Sequence, residues 1–82
     1  MEMESVLARV RKTFNTTFET DPELITLDTA PGDIAAWDSM GHVTLASGLE
    51  REFDVSLDVD DLMAMENVRE ILTVLKVKLG KK

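Results

Sequence analysis

The apolar positions of the chain recur at helical steps and divide it into separate amphipathic segments. In residues 3–18, apolar side chains return every three or four residues and so share one helix face. The face consists of Met3, Val6, Leu7, Val10, Phe14 and Phe18. Arg9, Arg11 and Lys12 fall between them, on the predicted polar side. The pattern predicts a first helix over residues 3–18.

A long connection follows over residues 19–38, because this stretch holds both prolines and several turn-forming residues. The pair Asp21-Pro22 predicts one short helical turn. Connections of this length are uncommon in compact domains, so we expect apolar side chains to anchor it to the core. The predicted anchors are Leu24, Ile25, Leu27, Ile34 and Trp37.

A second helix is predicted from about Ser39 to Phe53, with Asp38 as its N-terminal cap. Two stripes run along it at helical spacing. The stripe predicted to face inward is His42, Leu45, Ala46, Leu49 and Phe53. The stripe predicted to face solvent is Met40, Thr44, Ser47 and Arg51.

Two further helices complete the pattern. Asp58 is a plausible cap for a short helix around Asp60 to Met65. Asn67 and Glu70 have the spacing of a capping box, which predicts a last helix ending near Gly80. Its apolar face is Val68, Ile71, Leu72, Leu75 and Leu79. The predicted fold is all-α: one domain over residues 1–82, built as a small bundle of three main helices and one short helix.

The charge of the chain is concentrated in its middle. The net charge is −7, but residues 19–70 alone carry −12. Such a surface repels nucleic acids and anionic membranes and attracts proteins with basic patches. The sequence has no cysteine, which excludes disulfides, thiolate catalysis and cysteine-based zinc sites. It also has no long apolar run, so we expect a soluble, cytoplasmic protein that does not insert into membranes.

Little in the sequence indicates catalysis. Ser39 lacks the G-x-S-x-G context of a hydrolase, and His42, three residues later, has no third group to orient it as a base. The acids of "DVDD" at 58–61 lack the glycine and final glutamate of a calcium loop, so we predict no metal site. Ser39 nevertheless lies at a predicted helix start, where backbone N–H groups favour an attached phosphate. A serine that merely lies beside a cap remains the alternative.

The stretch "DSMGHVTLASGLEREFDVSL" resembles the acyl carrier protein family, with its D-S-[LM] motif followed by an apolar helix. The resemblance covers nearly the whole chain, including "DPELI", "DVDD" and "NVREIL". It implies a four-helix fold without enzymatic activity. It also implies that a phosphopantetheinyl transferase attaches 4′-phosphopantetheine from coenzyme A to Ser39, and that the thiol of this arm carries acyl groups as thioesters.

The resemblance further implies where partner enzymes approach, namely the start of the second helix and the short third helix. Acyl-loading, condensing or acyl-transfer enzymes would use basic patches there, and the carrier itself would be a monomer. The expected recognition residues are Asp38, Met40, Gly41, Thr44, Glu50, Asp54, Asp60 and Asp61.

The sequence departs from general fatty acid carriers on the exposed stripe. Those carriers commonly have acids two and five residues after the serine, where this chain has Gly41 and Thr44, and Arg51 adds a positive charge. Together with Trp37 and "GHV", this is more typical of discrete carriers in specialised pathways, whether of fatty acid, polyketide or related biosynthesis. Two alternatives stay open: an aminoacyl or peptidyl carrier, and an unmodified helical interaction module.

Overall fold

A computed structural model describes residues 3–80 and contains the four predicted helices. No strand occurs among these residues, so the all-α prediction is confirmed. Two short 3₁₀ turns, Pro22–Leu24 and Pro31–Asp33, lie in the connection between the first two helices, and only the first of these turns was predicted. The helices are α1 (Met3–Phe18), α2 (Ser39–Phe53), α3 (Val59–Ala64) and α4 (Val68–Gly80).

Local capping explains where the helices begin and end. The Asp38 carboxylate accepts a hydrogen bond from the Gly41 N–H at 2.8 Å, which caps α2 as predicted. At the other end of α2, Asp54 adopts a left-handed conformation with φ of 53° and reverses the chain. Asp58 and Asp61 bond reciprocally to each other's backbone N–H groups, at 2.9 and 3.0 Å, and so cap α3.

Two predicted boundaries differ slightly from the structure. The short helix begins at Val59 and ends at Ala64, one residue earlier at each end than predicted, because the residue after the Asp58 cap is already helical. The last helix includes Gly80, which was expected to stop it. Its start agrees with the prediction, since the Asn67 side chain accepts a hydrogen bond from the Glu70 N–H at 2.8 Å.

The core forms where the apolar faces of α1, α2 and α4 meet. Phe14 of α1 packs edge-on against Trp37, with ring centroids 5.0 Å apart. The predicted inward stripes supply most of the buried side chains, and the expected inward side chain of Met3 lies outside the side chains that are described. The buried apolar residues are Val6, Val10, Phe14, Ile25, Trp37, Leu45, Ala46, Leu49, Phe53, Met65, Val68, Ile71, Leu72 and Leu75.

The long connection is anchored by fewer residues than expected. Ile25 and Trp37 are buried, and Leu27 and Ile34 pack partly against the core. Leu24 is 69% exposed, so its predicted anchoring role is wrong. It ends the first 3₁₀ turn, and that turn directs Ile25, the next residue, into the core instead.

Backbone hydrogen bonds join the same connection to the start of α4. The Val68 N–H donates to the Thr29 carbonyl at 2.9 Å, and the Arg69 N–H donates to the Leu27 carbonyl at 3.0 Å. These N–H groups belong to the first turn of α4 and have no partner within the helix. The connection therefore satisfies polar groups that the helix leaves open, which explains its ordered path.

Arg9 does not lie on a purely polar side of α1, as the sequence suggested. Its guanidinium lies 4.3 Å from the ring centroid of Phe53, and its Nε donates to the Glu52 carboxylate at 2.8 Å. Lys12 approaches the other carboxylate oxygen at 3.6 Å. The hydrogen bond from Arg9 lowers the pKa of Glu52. The same bond joins α1 to α2 beside the core.

Candidate functional site

Ser39 is the first residue of α2, and its side chain is exposed. Asp38, directly before it, caps the helix with its carboxylate, so the serine itself is not the cap. The N-terminal N–H groups of a helix and the positive end of its dipole favour a nearby phosphate. The hydroxyl is therefore available for covalent attachment at a position that suits a phosphodiester.

An open groove of about 720 Å³ begins at Ser39 and runs between α2 and α3. Its wall is mostly apolar, and one side of it includes Val43, which is 56% exposed. On the other side, Val59 and Met63 of α3 are 71% and 73% exposed. The lining residues are Pro31, Trp37, Asp38, Ser39, His42, Val43, Val59, Leu62, Met63 and Met65.

Sequence reasoning missed most of this groove. The two-stripe description of α2 assigned Val43 to neither face, and Val59 and Met63 lie on a helix too short to show a clear periodicity. The signal that could have found them is apolar side chains beyond those needed for the core, close in sequence to an exposed serine.

His42 does not serve Ser39 as a base. Its Nδ1 accepts a hydrogen bond from the Trp37 indole N–H at 2.8 Å, and its Nε2 lies 2.8 Å from the Leu62 carbonyl oxygen. Both ring nitrogens are thus engaged with other groups. The arrangement does not support nucleophilic catalysis by a Ser-His pair.

The expected recognition residues fall into two groups, and the first of these is exposed beside Ser39. Asp38 is exposed while it caps α2, and Met40 is 82% exposed. Thr44 is also exposed, with its hydroxyl donating to the Met40 carbonyl at 3.1 Å. Further along, Asp54 and Asp60 are exposed as well.

The second group is engaged within the fold. Glu50 accepts a hydrogen bond from the Leu57 N–H at 2.9 Å and so supports the loop after α2. Asp61 accepts a hydrogen bond from the Lys78 ammonium at 2.8 Å, and this bond lowers the pKa of its carboxyl group. The negative charges of Glu50 and Asp61 are accordingly less available to partners than their positions in the sequence suggested.

Gly41 has a structural reason to lack a side chain. A Cβ atom built on it would overlap the Ala36 carbonyl oxygen and lie 3.1 Å from a ring carbon of Phe18. The connection thus crosses the first turn of α2 at a distance that only glycine permits. The absence of an acid at this position is explained by packing.

Within residues 3–80, no group of three or more His, Cys, Asp or Glu side chains is arranged to hold a metal ion. None of the helices formed by these residues is long and apolar enough to cross a membrane.

Comparison with solved structures defines the class of the fold. The chain is similar to the holo acyl carrier protein from Geobacter metallireducens, solved in solution by NMR, with a TM-score of 0.82 and 28% sequence identity. The match covers 92% of this chain and 86% of that one. A search of curated proteins found no match. The fold is that of an acyl carrier protein.

A family model described as a phosphopantetheine attachment site matches residues 8–75. The chain belongs to this family. It is therefore a carrier and not an enzyme, and its prosthetic group is a covalently attached phosphopantetheine. Such a group fits the exposed hydroxyl of Ser39 at the helix start and the groove beside it.

Proposed function

We propose that Ser39 is the attachment residue of the phosphopantetheine arm, and that the protein holds acyl intermediates for the enzymes of a fatty acid, polyketide or related biosynthetic pathway. The observation that carries this proposal is the exposed Ser39 hydroxyl at the first residue of α2, at the mouth of the groove. When bound, the arm supplies a terminal thiol on which acyl groups are held as thioesters.

The residues around Ser39 have two separate roles in presenting the arm and its cargo. Asp38 fixes the start of α2 through its bond to the Gly41 N–H, which keeps the Ser39 hydroxyl directed away from the core. Val43, Val59 and Met63 offer apolar surface next to that hydroxyl. Burial of methylene groups against such surface contributes about 0.8 kcal/mol each, so this wall favours an acyl cargo over an aminoacyl one.

Partners are proposed to meet the carrier on the faces of α2 and α3 that border the groove. Asp38 and Asp60 are exposed on these elements, and Asp54 is exposed at the far end of α2, so all three supply negative charge for enzymes with basic patches. Met40 and Thr44 complete the proposed contact surface on α2. The protein acts as a monomeric, cytoplasmic carrier domain in this proposal.

The test is incubation of the apo protein with coenzyme A, magnesium and a broad-specificity phosphopantetheinyl transferase, followed by intact-mass measurement. We expect the wild type to gain one phosphopantetheinyl group and Ser39→Ala to gain none. Ser47→Ala is the matched control, since Ser47 is an exposed serine on the same helix and should leave modification unchanged. A wild type that gains no mass, or an equal gain in Ser39→Ala, would overturn the proposal.

A further inference from the structure

The ring nitrogens of His42 define one tautomer. The Trp37 indole N–H can only donate a hydrogen bond, so Nδ1 of His42, 2.8 Å away, must accept it. The ring proton of the neutral imidazole is then on Nε2, which donates to the Leu62 carbonyl at 2.8 Å. The two rings are nearly parallel, at an interplanar angle of 18°. Trp37, His42 and Leu62 thus form one directed chain of hydrogen bonds.

The hydrogen-bond chain ends at the C-terminal end of α3, where carbonyl groups need a donor. The last carbonyl groups of a helix have no intrahelical donor, and α3 has only six residues. The Leu62 carbonyl accepts from the Met65 N–H at 3.3 Å and from His42 of a different helix. His42 therefore caps the C-terminal end of α3 from α2 by donating its Nε2–H to one of the last carbonyl groups of that helix.

The hydrogen-bond chain begins at Trp37, just before the candidate attachment residue. Trp37 is 1% exposed, while Ser39, two residues later, is exposed. Because the indole is fixed by both Phe14 and His42, the short segment between Trp37 and Ser39 begins from a rigid point. His42 consequently touches both borders of the groove, the segment before Ser39 and the end of α3.

We propose that His42 is a positioning residue that holds α3 against α2 and sets the geometry of the groove and of Ser39 for transfer of the arm. This inference rests on the proposed role of Ser39. The Asp61–Lys78 ion pair joins α3 to α4, and the His42 bond joins α3 to α2. Loss of that bond releases the C-terminal end of α3 while the core stays packed.

Two substitutions at His42 separate its hydrogen bond with Trp37 from its hydrogen bond with Leu62. His42→Gln places an amide N–H where Nε2 lies but provides no acceptor at the Nδ1 position, so it keeps the bond to Leu62 and loses the bond to Trp37. His42→Asn does the reverse, because its shorter amide reaches only the Nδ1 position. Ser47→Ala is the control, since Ser47 is exposed on the same helix, does not line the groove and takes no part in these hydrogen bonds.

Amide hydrogen exchange measured by NMR reports each of these hydrogen bonds separately. In His42→Asn, exchange across residues 59–64 should rise about two- to twelvefold, the factor expected for loss of one hydrogen bond, while α4 stays at the wild-type rate. In His42→Gln, the Trp37 indole N–H should exchange faster and α3 should not. Equal acceleration in all helices would indicate general destabilisation and overturn the proposal.

The wild type and the arm-transfer reaction complete the test. Nitrogen-15 spectra of the wild-type imidazole at neutral pH should show the proton on Nε2, and a proton on Nδ1 would overturn the proposal without any variant. The kcat/KM for arm transfer should fall about two- to twelvefold in His42→Asn and stay unchanged in Ser47→Ala. Unchanged transfer in His42→Asn would refute the positioning role. Failure of the wild type to accept the arm would instead refute the role of Ser39 and leave the exchange results to decide on His42.

Discussion

The ammonium of Lys78 lies 2.8 Å from the carboxylate of Asp61 and joins the last helix to α3. Both side chains are largely covered, with 25% and 19% of their surfaces exposed. The hydrogen bond between them raises the pKa of Lys78 and is the main cause that lowers the pKa of Asp61. The sequence assigned Asp61 to partner recognition, whereas the structure gives it a fixed role inside the fold.

The pH dependence of stability follows from these shifts. Asp61 and Glu52 have lowered pKa values in the folded state, so their contribution is present above the ordinary values of 3.8 and 4.5. It is lost as the pH falls through the folded values, roughly from pH 5 downward. The raised pKa of Lys78 acts in the opposite direction. The stability that Lys78 contributes is present below its ordinary pKa of 10.5 and is lost as the pH rises through its pKa in the folded state. We expect the urea-unfolding free energy to fall at both the acid and the alkaline end of the pH range.

Lys78→Met separates the contribution of Asp61 from that of Glu52. It keeps the apolar stem and removes the charge, so the decline toward acid should become shallower while the part due to Glu52 remains. The alkaline decline due to Lys78 should disappear. Acid and alkaline urea titrations that superimpose on the wild type would show that this ion pair contributes nothing to folding.

Gly41 is expected to resist substitution. Gly41→Ala brings a Cβ atom against the Ala36 carbonyl oxygen, and relief of such overpacking typically costs about 1–3 kcal/mol. This cost should exceed the helix-propensity gain of about 1 kcal/mol, so thermal stability should fall. Gly80→Ala is the control, because nothing lies within 4 Å of its added Cβ and it should be neutral or slightly stabilising. Equal melting temperatures for both variants would contradict the close approach of the connection.

The inward stripe of α2 predicts large losses on truncation. Leu49 is fully buried, so Leu49→Ala should lower the unfolding free energy by about 2–5 kcal/mol. Ser47→Ala, on the exposed stripe of the same helix, should change it by no more than about 0.5 kcal/mol. Denaturant melts that coincide for Leu49→Ala and the wild type would show that the helix faces are assigned wrongly.

Partner choice should depend on the charge of the exposed stripe. Because Gly41 must stay glycine, the test uses Thr44→Glu together with Arg51→Glu, both at exposed positions. Added acids should improve loading of the modified carrier by a malonyl transferase of fatty acid synthesis several-fold, since exposed pairs contribute about 0–1 kcal/mol each. The gain should shrink as salt screens the charges.

The control for that comparison is Thr44→Gln with Arg51→Gln, which changes the same positions without adding acids. Efficient loading of the wild type, equal to that of the acidic variant at low salt, would show that the neutral stripe does not set specificity. The specialised pathway would then lose its physical support.

Periodicity and capping were enough to predict the helices, and contacts between distant segments were not. Asp38 and Asp58 have local partners within three residues, so the starts of α2 and α3 could be predicted to within one residue. Arg9 and Lys78 form ion pairs with residues far away in sequence. The local sequence around them could not predict those contacts.

The same distinction applies to the candidate site. Ser39 was singled out by its position at a helix start and by its short motif, both of which are local. Leu24 and Gly41 were misjudged or left unexplained because a 3₁₀ turn and the approach of Ala36 decide their environment. The groove needed the packing of α3 against α2, which no periodicity in six residues could indicate.

The burial of Trp37 in the wall of the groove gives the carrier an optical probe of its own cargo. It is the single tryptophan of the chain, so the intrinsic fluorescence of the protein arises mainly from one known position. An acyl chain that enters the groove changes the packing around the indole, which belongs to the groove wall, whereas one that stays in solvent does not. Emission from unlabelled protein can therefore distinguish a sheltered cargo from an exposed one, and stopped-flow mixing can follow its release to a partner in real time.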